Sequence, residues 1–191
     1  AVSEFHPHPR KHLSGVPWYV MGMMMFACMD AVSKHLTSSL PIIEILWVRY
    51  AFFTTFGLIM VMATHNGSVL QTAVPKFQII RGLCMLGDIG LFTLSFRFLQ
   101  LAEAHAIAAI APLMVMALAV PLLGEKVRRS QWIAVNAGFL GVLIIIRPGM
   151  AIFQEASTLP FLATVSFSLY LILTRLVGRY DGLWTSVLYT G

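Results

Sequence analysis

Charge is what this chain has least of. Asp, Glu, Lys and Arg together make up 11% of its 191 residues, under half the roughly 25% of an ordinary soluble domain. A conventional water-soluble fold is excluded for the bulk of the chain. Cysteine is almost absent as well: Cys28 and Cys84 lie inside apolar runs without a CxxC spacing or a neighbouring His. Neither a disulfide framework nor a metal site is expected from them, since a buried cysteine normally behaves as a small hydrophobe. The weak alternation of apolar and polar residues that marks an outer-membrane barrel is missing. So are HExxH, GxSxG and a paired-carboxylate motif, which leaves an intramembrane enzyme without its machinery and calls for no cofactor.

What is present is long apolar sequence, with 58% of residues hydrophobic. Six stretches stand out: Val16 to Leu36, Pro41 to Ala63, Gln78 to Leu99, Glu103 to Leu123, Gln131 to Arg147 and Leu159 to Val177, with a seventh beginning at Leu183. Each is close to the roughly 20 residues a helix needs to cross about 30 Å of hydrocarbon. The expected fold class is all-α, a polytopic transmembrane helix bundle. The first run is too long for a cleavable signal peptide and a second follows closely, so the first helix is expected to remain.

The formal net charge is +5, but the basic residues follow the loops and read as topology rather than as a nucleic-acid surface. Nine of the thirteen Lys and Arg fall on one side: Arg10, Lys11, Lys76, Arg81, Lys126, Arg128, Arg129, Arg175 and Arg179. The other side has Lys34, Arg97 and Arg147, and Arg49 lies within the second run. Under the positive-inside rule the N-terminus is cytoplasmic and the chain is multi-pass in the cytoplasmic (inner) membrane. Residues 1–15 form a cytoplasmic tail, whose His6, His8 and His12 read as a solvated, Pro-interrupted segment and not as a metal site. A shift of 141 residues places Lys34 on Arg175, Leu36 on Val177, Ile42 on Leu183 and Leu46 on Val187. The two copies are five helices apart, so the second enters the membrane inverted, as in many secondary transporters.

The stretch from Arg81 to Gly149, RGLCMLGDIGLFTLSFRFLQLAEAHAIAAIAPLMVMALAVPLLGEKVRRSQWIAVNAGFLGVLIIIRPG, is the most specific part. Its Arg81, the FRFLQLAEA turn, Pro112, the Gly124-Glu125-Lys126 corner, Trp132, Gly138 with Gly141, and Arg147-Pro148-Gly149 resemble the first half of the drug/metabolite transporter superfamily in its EamA-type branch. Lys34 late in helix 1, Trp47 and Arg49 in helix 2 and SLYLILTR in helix 6 fit the same pattern. The resemblance implies ten helices in two inverted five-helix halves with a substrate cavity at their interface. On that basis residues 16–149 are the first repeat, and 150–191 hold helix 6 and the start of helix 7. The rest of the second half is supplied by the same natural chain or by another protomer. Within the branch the likeness extends to permeases for S-adenosylmethionine and amino-acid-sized metabolites, without fixing the cargo.

An ionised side chain at the centre of a membrane helix costs roughly 2.5–3.5 kcal/mol on insertion scales, so it faces a cavity or a partner. Seven residues are the candidates for a substrate cavity: Asp30, Lys34, Trp47, Arg49, Asp88, His105 and Pro112. Asp30 and Lys34 are one helical turn apart and can neutralise each other; the alternative has Lys34 snorkelling to the headgroups. Arg49 needs a partner on another helix, for which Asp88 is the natural choice. Asp88 is either a specificity residue or half of a local ion pair. Glu103 reads as a helix cap, while His105 reads equally as a first-turn residue or as a titrating group. Pro112 removes a backbone hydrogen bond and crowds the Ala108 carbonyl, so helix 4 should bend there. Trp47 and Tyr50 are deep enough for cavity contact, where cation–π attraction suits a sulfonium or ammonium group.

The leading expectation is a secondary transporter that moves a small polar or amphipathic metabolite by alternating access, with protons coupled through Asp30, Asp88 or His105. A channel-like or helper membrane subunit is the alternative. The bilayer and a small-molecule substrate are the expected partners.

Overall fold

In the computed structural model, residues 15–64, 72–146 and 155–190 are described. The expectations for His6, His8, His12 and the rest of the tail, and for Arg147-Pro148-Gly149, lie outside these residues. The fold is an all-α polytopic bundle: α1 (Val16–Leu36), α2 (Ile42–Thr64), α3 (Pro75–Ser95), α4 (Leu101–Ala108), α5 (Ala111–Leu123), α6 (Arg129–Ile146), α7 (Thr158–Val177) and α8 (Leu183–Leu188), with a 3-10 turn at Glu155–Ser157 before α7. Among the described residues five stretches are long and apolar enough to cross a membrane: α1, most of α2, α3, α4 with α5, and the 3-10 turn with α7. Helix is the form such sequence must take, because a backbone in hydrocarbon has to satisfy its own N–H and C=O groups.

Local chemistry sets the helix ends. Proline in the first turn opens α1, α3 and α5, where its missing N–H leaves nothing unsatisfied. Gln100 and Glu103 form a reciprocal capping box at the start of α4, with the Gln100 N–H donating to Glu103 Oε2 at 3.0 Å. This is the capping role expected of Glu103. At the other end of the same span Gly124 adopts φ 67°, and the N–H groups of Gly124 and Glu125 close onto the Val120 and Ala119 carbonyls. That left-handed stop explains the glycine of the Gly-Glu-Lys corner.

The fourth apolar run divides in two. Ala109 and Ile110 keep right-handed helical dihedrals, but the ladder is interrupted where the Pro112 ring would crowd the Ala108 carbonyl. The bend expected at Pro112 is therefore a break between α4 and α5.

Packing is organised around α7, which lies against α3 most extensively and also against α5 and α4. Its buried stripe is Pro160, Ala163, Thr164, Ser168 and Ile172, spaced three to four residues apart as one helical face requires. The stripe is small, and its hydroxyls are satisfied within the helix: Thr164 donates to the Pro160 carbonyl and Ser168 to that of Thr164, each at 2.7 Å. On α3, Gly87 faces this helix, where an added Cβ would already touch Ser166, 3.4 Å from its Oγ, and leave no room for a longer side chain. Small residues at such seams let membrane helices approach and gain dispersion contact. Many large apolar side chains point outward instead, among them Trp18, Ile43, Phe52, Met62 and Ile144, which suits a lipid-facing surface.

Gly87→Leu should therefore separate α3 from α7 and cost about 1–3 kcal/mol through overpacking. Gly22→Leu, at a position with nothing within 4 Å, should be neutral or mildly stabilising. Thermal unfolding of the two purified variants in detergent checks the contrast, and equal midpoints would refute the seam.

Candidate functional site

Asp30 is the most deeply placed acid of the described residues, 4% exposed near the end of α1. Its Oδ2 lies 3.2 Å from His105 Nε2 in α4 yet makes no hydrogen bond of acceptable geometry. His105 is held edge-on to Phe92 of α3, with ring centroids 5.2 Å apart. α1 and α4 thus meet at one carboxylate, and α3 holds the imidazole beside it through Phe92. The His gives the buried acid a polar neighbour from another helix where bulk water is absent.

Lys34 does not pair with Asp30. Its ammonium donates to the Phe96 carbonyl and to that of Leu99 at 2.8 Å. These carbonyls belong to the turn joining α3 to α4, and Phe96 is the C-cap of α3. Helix C-termini leave carbonyls without partners and attract cations, so Lys34 serves as a cap supplied from another helix. The expected Asp30–Lys34 pair is corrected accordingly: a neighbouring backbone end competes better for the ammonium than an acid already adjoining His105. Arg97 works in parallel on the same side, donating to the Leu40 carbonyl at 2.9 Å.

Arg49 is half-buried on α2 within electrostatic reach of Asp30 and Asp88, but no ion pair within 4 Å joins it to either among the described residues. Its Nε is buried without a hydrogen bond. The contact expected between Arg49 and Asp88 is thus a longer-range one. Asp88 lines a hollow of about 170 Å³ with Phe26, Phe92, His105, Thr164 and Phe167. Asp30, His105 and Asp88 therefore belong to one region, with Arg49 as its counter-charge. Trp47 does not join them. It is 73% exposed and lines none of the described hollows, because two residues from Arg49 is about 200° around a helix. Pro112 lines two hollows beside the α4–α5 break, one shared with His105 and Ala108.

A second site escapes the candidate set. Arg81, counted with the 2–3 connection in the sequence, is inside α3 and 2% exposed. Its Nη2 donates to the Ser186 carbonyl and, at 2.9 Å, to Thr190 Oγ1, and its guanidinium lies 5.6 Å from the Tyr170 ring centroid. These groups border a cavity of about 440 Å³ that also takes in Tyr50, Phe53 and Asp181. The signal was available: Arg81 is six residues past the Pro75 that opens α3, about 9 Å into the helix by its rise.

Asp181, between α7 and α8, closes this end. It accepts hydrogen bonds from Thr72 Oγ1, from the Ala73 N–H at 2.9 Å and from Gln78 Nε2 at 2.8 Å. Burial pushes its carboxyl up, but the bonds from Thr72, Ala73 and Gln78 and the Arg81 charge outweigh that and hold it below the usual carboxylate range. Its stabilising contribution is therefore complete above the ordinary Asp value and is lost as pH falls through the lowered one.

These features define a class: a polytopic α-helical membrane protein whose ionisable side chains gather around hollows inside the bundle. Residues 13–147 match the EamA-like transporter family, and the chain belongs to that family. It is similar to the S-adenosylmethionine uptake transporter of Rickettsia felis, 25% identical over 87% of this chain and 56% of the relative. It is also similar to the riboflavin transporter of Vibrio cholerae, 24% identical over 95% of the chain and 61% of the relative, and to a pseudopaline exporter of Pseudomonas aeruginosa, 27% identical over 71% and 47%. The chain spans about half the length of the curated relatives it matches. No solved structure matches it. The family and these relatives are named for transport, not for catalysis.

Replacing Lys34 with Met should leave the Phe96 and Leu99 carbonyls without their donor and destabilise the α3–α4 turn by about 1–3 kcal/mol. A lowered unfolding midpoint in detergent is the expected result; an unchanged one would contradict the capping role.

Proposed function

We propose that the protein is a secondary transporter that carries a small polar or amphipathic metabolite, of the size of an amino acid or S-adenosylmethionine, across the cytoplasmic membrane by alternating access. The observation that carries this reading is the contact between buried Asp30 and half-buried His105, on two helices, beside the α4–α5 break. A carboxylate and an imidazole at the edge of a hollow can exchange a proton or a cationic group of a cargo for each other. A nearby broken helix gives the site backbone carbonyls and a place to bend. Asp88, lining the adjacent hollow, and Arg49 set the local charge balance. Five spans in 16–149 (α1, α2, α3, α4 with α5, and α6) act as one repeat, and α7 with α8 opens an inverted second one, so the carrier is completed by further sequence of the natural chain or by another protomer. The excess of Lys and Arg in alternate connections supports a cytoplasmic N-terminus. The names of the relatives support small organic cargo while spanning unlike molecules, so cargo identity is a matter of the pocket and not of the family.

The test is counterflow of radiolabelled S-adenosylmethionine, amino acids and riboflavin into proteoliposomes containing the natural protein, with and without a pH gradient. Saturable exchange is expected for at least one of them. Asp30→Asn and His105→Gln should each lower it by about tenfold or more, and the double variant should be little worse than either single one, as for residues that act as a unit. Trp47→Leu should leave it unchanged. Ohmic current in place of saturable exchange, or full additivity of the two changes, would overturn the reading.

A further inference from the structure

The cavity beside Arg81 is distinct in charge from the Asp30 region. Arg81 cannot give up its proton in a protein, so its charge is permanent, and it is almost wholly buried. Among the described residues no carboxylate lies within 4 Å of it. Two neutral acceptors occupy Nη2, the Ser186 carbonyl and Thr190 Oγ1, while Nε is buried and has no partner. The Tyr50 hydroxyl is likewise buried and without a partner. Both residues line the same cavity of about 440 Å³, whose other walls include Phe53, Met85, Ile89 and Tyr170. Leaving either group unmet costs free energy, and a buried guanidinium with no carboxylate within 4 Å favours an anion in the cavity beside it. Asp181 does not supply the missing acceptor, because its oxygens are already taken by Thr72, Ala73 and Gln78.

We propose that this cavity binds an organic anion with a flat apolar body, its carboxylate or equivalent oxyanion received by the Arg81 guanidinium and its body lying against Tyr170 and Phe53. A guanidinium is a planar, permanently charged donor for an oxyanion, and an apolar chamber of this volume is of metabolite size. The Asp181 carboxylate at the rim opposes a second negative group, so a monoanion fits better than a dianion. In treating the occupant as cargo, the inference rests on the carrier reading; as a binding site it does not.

The experiment uses the natural protein in phosphatidylcholine nanodiscs and measures equilibrium binding of radiolabelled indole-3-acetate against its neutral isostere, indole-3-acetamide. The acid should bind saturably and at least about tenfold more tightly than the amide, the preference expected of a charged hydrogen bond in a buried site. Arg81→Gln should abolish that preference, and Arg81→Lys should keep part of it. If Arg81→Gln does not fold, the acid-to-amide ratios of the native protein and of the Arg81→Lys variant decide. Equal binding of acid and amide, absence of saturable acid binding, or a folded Arg81→Gln protein with native affinity would overturn the site. Loss of probe binding in discs containing phosphatidylglycerol would assign the oxyanion to a lipid phosphate and also overturn it. Acid-selective binding without counterflow of any substrate keeps the site and removes the carrier reading; counterflow without acid selectivity does the reverse.

Discussion

A charged group inside an apolar bundle has no water to turn to, so its field must end on another part of the same protein. The helices of this chain are arranged around that constraint. The Lys34 ammonium ends on the backbone of the α3–α4 turn, Asp30 on the imidazole of α4, and Arg81 on α8. Each of these contacts crosses from one helix to another, and each fixes a spacing that apolar packing alone leaves soft. Membrane helices gain little from mutual apolar burial, since lipid is as apolar as leucine. A few polar contacts and close small-residue seams then determine which helices are neighbours.

The same constraint explains the small stripe on α7. This helix touches α3, α4 and α5, and a helix with three neighbours cannot present large side chains to all of them. Thr164 and Ser168 solve the problem by bonding to their own backbone, which makes them sterically small and electrically closed. The α4–α5 break works in the opposite sense. It denies the Ala108 carbonyl the N–H that residue 112 would otherwise offer, in the part of the bundle where acidic side chains collect, so a backbone acceptor and ionic chemistry share one place.

Much of the architecture was legible in the sequence because a membrane span is a one-dimensional signal. Apolar run lengths give α1, α2, α3 and α7 to within a few residues, Pro112 foretells a bend in the fourth span, and Glu103 at its opening foretells its cap. Partnerships across helices were less legible. Asp30 and Lys34 share a helical face, which proposes a pair, but nothing local reveals that a carbonyl-rich turn more than sixty residues away competes for the ammonium. Depth alone proposes Trp47 for a cavity, and depth says nothing about azimuth. Arg81 is illegible for the opposite reason, since a positive charge near a loop reads as topology until its burial is seen.

Arg81 also has a history within the life of each molecule. Its acceptors follow it by 105 and 109 residues, and a ribosome adding about 5–20 residues per second needs roughly 5–20 s to deliver them. During that interval the nascent α3 must lodge in the bilayer with a bare guanidinium, which its position near the start of the helix permits by reaching back to the headgroups. Only the arrival of α8 supplies those acceptors, so that closure of this contact is a late event set by the timetable of synthesis.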